Sequence, residues 1–164
     1  MFAFAGKPIK LAAVLFDGKS FPIFTRLDIE NDMMQKFGHR KDKMIMGFEI
    51  LAVMLGLETF KERIDCKLLR IWTDNAGGEH VLRQGSSKTS DYNALVHLFW
   101  LKCAQMNIEV EVRRLPTKDN IADGPTRPTK SVNCKILTEM QAIEIKPKLP
   151  SELIGAVAFK NCLV

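Results

Sequence analysis

The chain has 164 residues, 46% hydrophobic and 26% charged, with 10 glycines and 7 prolines. Those proportions suit one globular domain and exclude collagen, coiled coil and disorder as descriptions of the whole, and no apolar run approaches the ~18 residues that a membrane-spanning helix needs. A net charge of +5 permits a polyanionic partner without demanding one, so motifs must decide the partner class.

The opening residues Met1-Phe2-Ala3-Phe4-Ala5-Gly6 lack the basic stretch and long apolar core of a secretory signal. Cys66, Cys103, Cys134 and Cys162 are scattered without a C-x-x-C pair, which reads as reduced thiols in an intracellular protein, cytoplasmic or nuclear. Residues 10–16 form a short apolar run ended by Asp17-Gly18, a dipeptide that favours a hairpin. The return strand is expected over residues 21–27, with Phe21, Ile23 and Thr25 on one face and Pro22 at the strand start or an edge.

Over residues 44–60 the period changes. Ile45, Phe48, Ala52 and Leu55 recur at helical spacing, with Leu51 widening the stripe and Asp42 as the expected N-cap. A helix this apolar on every side should lie buried against a sheet. Residues 68–73 predict a strand, residues 76–82 a short helix closed by Gly85, and the next helix carries Leu95, Leu98, Phe99, Leu101 and Met106 on its apolar face. Residues 108–112 alternate as a strand with one wet face. Asp119 caps a short helix through Asp123 that Gly124-Pro125 is expected to stop, and the pattern weakens after Pro128. The order predicts an α/β fold, with an antiparallel hairpin followed by alternating helices and strands in a mixed sheet.

Three acids sit where a core would not ordinarily place them. Glu49 is flanked by Phe48 and Ile50, Asp74 ends the strand Ile71-Trp72-Thr73, and Asp123 follows Ile121-Ala122. Buried singly, such a carboxylate costs several kcal/mol. Several together at one sheet edge call for a hard cation such as Mg²⁺, and two such ions ~3.5–4 Å apart can drive phosphodiester hydrolysis. Taken one at a time, Glu49 could instead face outward and Asp74 could merely cap the next helix.

Met46-Gly47-Phe48-Glu49-Ile50-Leu51-Ala52, Trp72-Thr73-Asp74-Asn75, and the stretch Leu115-Pro116-Thr117-Lys118-Asp119-Asn120-Ile121-Ala122-Asp123-Gly124-Pro125-Thr126-Arg127 together resemble the ribonuclease H domain of retroelement (retrotransposon) reverse transcriptases, in the ribonuclease H-like superfamily. Order and spacing agree over roughly residues 9–127, and the Asn-x-Ala-Asp motif is the most specific of the three. The resemblance implies a ribonuclease H-like fold over residues 1–127, followed by an extension over 128–164 that is able to dock on it. It implies a hydrolase, a metal-dependent endonuclease cutting the RNA strand of an RNA–DNA hybrid, with Mg²⁺ (or Mn²⁺) held by Glu49, Asp74 and Asp123 as catalytic residues, and with a reverse transcriptase domain upstream. The family's first acid belongs in an Asp-Ala-Ser-like motif on the first strand. Here Phe4 holds its place, so that strand reads as incomplete or degenerate and the site as short of one carboxylate. The loop histidine the family often carries before the last acid has no counterpart in residues 114–118.

Around these motifs Asn75, Arg114, Lys118, Asn120 and Arg127 are the expected nucleic-acid contacts; Arg113 and Lys130 add to a basic cluster that could equally be a solvated face. Gly77-Gly78 could let a phosphate approach a helix start or could serve close packing. Trp72 and Trp100 read as core, His97 as a core or boundary residue, and Cys66, Cys103 and Cys134 as small apolar residues. His39 and His80 show no ligand spacing. Two further readings stay open: a non-catalytic nucleic-acid-binding or connection-type module, and a protein-interaction domain docking through the apolar tail after Pro150.

Overall fold

The computed structural model describes residues 2–5, 9–29, 45–64, 68–127 and 132–154. The expected Asp42 cap, His39, Cys66, Cys162, Lys130 and most of the tail after Pro150 lie outside these residues. The architecture is α/β with a mixed sheet, as the sequence order predicts.

A short strand, β1 (Phe2–Ala5), pairs antiparallel with β2 (Ile9–Leu15), which pairs antiparallel with β3 (Ile23–Ile29). The hairpin is real, but its turn is seven residues long. Leu15 pairs with Ile23, and Gly18 sits between them at φ 70°. The Asp17 carboxylate accepts hydrogen bonds from the amides of Lys19 and Ser20, both at 2.9 Å, and so folds the loop on itself. Phe21 and Pro22 belong to that loop, and the return strand therefore starts two residues later than expected. Within it the alternation holds, for Ile23, Thr25 and Ile29 are buried while Arg26 and Asp28 face water.

Helix α1 (Ile45–Phe60) buries thirteen of its sixteen residues. It lies on β1 and β2 and is covered from the other side by α2 (Ala76–Gln84) and α3 (Ser90–Gln105). An all-round apolar helix needs apolar neighbours on all sides, and this one has them. Its first turn passes beneath the fully buried Tyr92 ring: a Cβ on Gly47 would stand 2.7 Å from Tyr92 Cε1, so only glycine allows that approach.

The second pairing joins β4 (Leu68–Thr73) to β5 (Glu109–Arg114) in parallel, Ile71 opposite Val112 and Thr73 opposite Arg114, and β1 lies beside β4. Between β4 and β5 run α2 and α3. Asn75 caps α2 by accepting the Gly78 amide at 2.8 Å, and Gly85, in the left-handed region at φ 70°, ends it as expected. On α3 the buried face is Tyr92, Leu95, Val96, Leu98, Phe99 and Cys103. Leu101 is 54% exposed and His97 is exposed, so both depart from the expected placement. The reason is angular: 97 and 101 are four residues apart and share a stripe that turns away from α1.

After a 3₁₀ turn at Thr117–Asp119 comes α4 (Asp123–Thr126), which contains Gly124-Pro125 rather than ending before it. Proline is tolerated there because a first turn leaves its amides without intrahelical partners. Beyond residue 131 the structure is more regular than the weak pattern suggests. Helix α5 (Val132–Glu139) sets Leu137 in a small cluster with Val14 and Ala122, and β6 (Ile143–Glu144) adds to β3 in parallel. A last turn, α6 (Ser151–Ile154), buries Leu153, and Lys102 of α3 bridges Glu152 at 3.2 Å and Glu58 at 3.5 Å.

Candidate functional site: three acids at the end of β4

The fold converges three carboxylates on one place. Glu49 projects from the second turn of α1, Asp74 follows the last residue of β4, and Asp123 opens α4. Glu49 and Asp123 are each 6% exposed, and Asp74 is half-buried between them. Glu49 therefore does not point outward.

The electrostatics of Glu49 record its company. Burial, then the negative charges of Asp74 and Asp123, push its carboxyl up to about 8, against a weaker opposing effect from the Thr73 hydroxyl. That hydroxyl donates to Glu49 Oε2 at 3.3 Å. Asp123 is also raised, first by burial and further by Asp74, although Arg127 pulls the other way. Arg127 reaches back one helical turn to donate to Asp123 Oδ2 at 2.7 Å. Asp74 Oδ1 accepts from the side-chain amide of Asn120 at 3.1 Å.

Each acid thus has its own local donor. As placed, no three His, Cys, Asp or Glu side chains among the described residues are spaced to ligate one ion. The expected common metal reach is accordingly not met in this arrangement. The donor set itself fits a hard cation, since it is all oxygen and two of the three carboxylates, Glu49 and Asp123, are nearly shielded from water.

The expected nucleic-acid contacts divide. Arg114 and Lys118 are exposed, and neither makes a hydrogen bond or ion pair among the described residues. Arg127 is half exposed and bound to Asp123. Asn75 is spent on the α2 cap. Asn120 departs from expectation, since it is fully buried and its amide faces Asp74 instead of solvent. The Gly77-Gly78 alternatives resolve toward packing. A Cβ at Gly77 would stand a tight 3.2 Å from Met46 Sδ, while one at Gly78 would make only an ordinary 3.6 Å contact with Glu49 Cβ, so Gly77 is the one that eases α2 against α1.

Thr73 is the residue the sequence reading passes over. Strand alternation puts it on the same face as the buried Ile71, which was signal enough to expect an inward hydroxyl. The cysteine reading holds for Cys103, a buried free thiol pushed up to about 12 by burial; the Cys134 side chain lies outside the description. Compared with protein-family models, curated proteins and solved structures, the chain matches none. No helix among the described residues is long and apolar enough to cross a membrane.

Proposed function

We propose that this chain is a ribonuclease H-like domain of a retroelement reverse transcriptase, descended from a metal-dependent nuclease acting on RNA–DNA hybrids, with one carboxylate short of a full site. The observation that carries the reading is the convergence of Glu49, Asp74 and Asp123 on one largely buried corner. Acids from a helix, a strand end and a late turn sense one another's charge in a buried corner. The motif resemblance in residues 46–52, 72–75 and 115–127 supplies the rest, and the substrate class and an upstream polymerase domain come from that resemblance.

In this reading Glu49, Asp74 and Asp123 hold Mg²⁺ or Mn²⁺, which when bound supplies an activated water and charge stabilisation at the leaving oxygen. The protein's own contribution is positional. Asn120 orients Asp74, Thr73 orients Glu49, and Arg127 holds Asp123. Arg114 and Lys118 would bind phosphates without regard to sequence.

The position at issue is Phe4, whose backbone on β1 pairs with Leu11 beside β4. Cleavage of a labelled RNA–DNA hybrid in Mg²⁺ or Mn²⁺ should stay near background for the natural chain and rise at least about a hundredfold in Phe4→Asp, on the scale of other single electrostatic contributions to catalysis. Strong cleavage by the natural chain that survives Glu49→Gln would sink the proposal. A nucleic-acid module without hydrolysis is the second reading, favoured by Phe4 and by the Arg127–Asp123 ion pair. It predicts that Phe4→Asp restores nothing while hybrid binding persists.

A further inference from the structure

Away from the acids, an open cleft of about 680 Å³ runs along the β5 side of the molecule, and both tryptophans of the chain line it. Trp100 packs against the core as its apolar neighbours suggest, whereas Trp72 does not join that cluster. Trp72 and Trp100 are each half-buried. Trp100 is fixed by its ring N–H, which donates to the Leu82 carbonyl at 3.0 Å, and by an edge contact with Phe99. Trp72 carries the Arg113 guanidinium 5.9 Å above its ring.

Arg113 is held in that pose by Glu111, with Nε to Oε1 at 2.8 Å, and Glu111 also accepts from Arg70 at 2.8 Å. The Arg113 side chain is still 52% exposed, so one flank of the guanidinium faces the cleft or solvent. Arg83, paired to Glu79 at 3.2 Å, lines the cleft as well. Arg114 lines it with no partner among the described residues.

We infer that this cleft binds a single strand of nucleic acid, a base stacking on the Trp72–Arg113 layer or on Trp100 and its phosphate meeting Arg114. Three features select that ligand over a peptide. Indole and guanidinium planes offer π surfaces that any base can cover. The uncommitted cation calls for an anion, and the other two arginines are already oriented. The cleft is open to solvent rather than enclosed, which suits a polymer segment better than a small buried molecule. The inference does not rest on the acid site, and it stands if that site hydrolyses nothing.

Because the chain's two tryptophans both line the cleft, intrinsic fluorescence reports on it directly. Titrating the whole protein with oligothymidylate of about twelve nucleotides, a length within the usual site sizes, should quench the emission to saturation. The affinity should fall log-linearly with salt. Arg114→Ala, at an exposed side chain with no structural partner, should weaken binding several-fold. Trp72→Leu should weaken it roughly five- to hundredfold, the range for losing one stacked base, provided circular dichroism shows it folded. Lys135→Ala, which removes the same charge at an exposed position outside the cleft lining, should bind nearly like the natural chain. No quenching at low salt, unchanged affinity in Arg114→Ala, or equal competition by inorganic polyphosphate would each overturn the inference, the last by removing the role of bases. Loss of hybrid cleavage or of Mg²⁺ binding with oligothymidylate binding intact would count against the acid site alone.

Discussion

Glu49 and Glu111 are the same residue type placed on neighbouring parts of the fold, and they behave in opposite ways. Glu49 is buried among acids, and its carboxyl is pushed up to about 8. Glu111 lies in the open between Arg113 and Arg70, which hold its carboxyl below the ordinary range. The first environment withholds water and opposite charge together; the second supplies both. A structural protein gains nothing from the first arrangement, because a buried carboxylate is best paired or removed. The contrast makes the Glu49 corner the costlier of the two for the fold, and it is there that the proposed function is placed.

The sharpest way to break this contrast is to change pH. A carboxyl raised in the folded state binds a proton there that the unfolded chain, with its ordinary value of 4.5, has already released. Stability should therefore be full below about pH 5 and decline as pH rises to about 8, by at most about 1.4 kcal/mol per pH unit for one group. Asp123, raised as well, adds to the same slope. Denaturant unfolding at successive pH values checks this, and Glu49→Gln should flatten most of the slope. A slope that persists undiminished in that variant would place the pH sensitivity elsewhere.

Divalent cation should act on the same corner with the opposite sign. If Glu49, Asp74 and Asp123 close on Mg²⁺, about 10 mM of it should raise stability at pH 8 by 1–3 kcal/mol, about that expected for ligand well above its dissociation constant. The rise should vanish in Asp123→Asn. Calorimetry that detects no Mg²⁺ heat in the natural chain would remove the metal from the proposal.

Asp74→Asn tests whether the middle acid is structural. The amide keeps the shape and leaves an oxygen to accept from Asn120, while removing one negative charge next to Glu49. Stability in chelator should stay level or rise slightly. A fall of roughly 1–3 kcal/mol, the cost of an unsatisfied buried group, would mean that Asp74 is held by its hydrogen bonds and serves the fold. The smallest effect belongs to Glu111→Gln. Solvent screens exposed ion pairs, so thermal unfolding should barely move, and high salt should erase what difference there is.

The parts legible in the sequence were those governed by short-range patterns. β4 spans the expected residues, Gly85 ends α2 where a left-handed residue was required, and α1 is as buried as its unbroken apolar run demands. The acids were legible as oddities, carboxylates in apolar surroundings, and the fold brings them into one corner without spacing them for a single ion. What escaped was decided by partners distant in sequence. Asn120 reads as a surface polar residue in a loop, and only the fold brings Asp74 to it. Trp72 reads as core because its neighbours are apolar, yet alternation turns it away from Ile71 and Thr73 and under Arg113. Leu101 was counted into the α3 stripe by composition, when its angle around the helix sends it outward. β6 is only two residues long and carries no strand signature of its own, so nothing local announced it.

That brief strand has a temporal consequence. Its partner on β3 is met early in the chain, but Arg26 finds Glu144 only 118 residues later. On a ribosome adding about 5–20 residues each second, the outer rim of β3 waits several seconds or more with its amides and carbonyls bare. An uncovered rim is a template for any other extended chain. The sheet is thus finished from its last-made segment, and a nascent or shortened polypeptide ending before residue 143 should be the species that self-associates. Backbone bonds from Ile143 to Pro22 and from Ile145 to Phe24 then cover the first part of that rim.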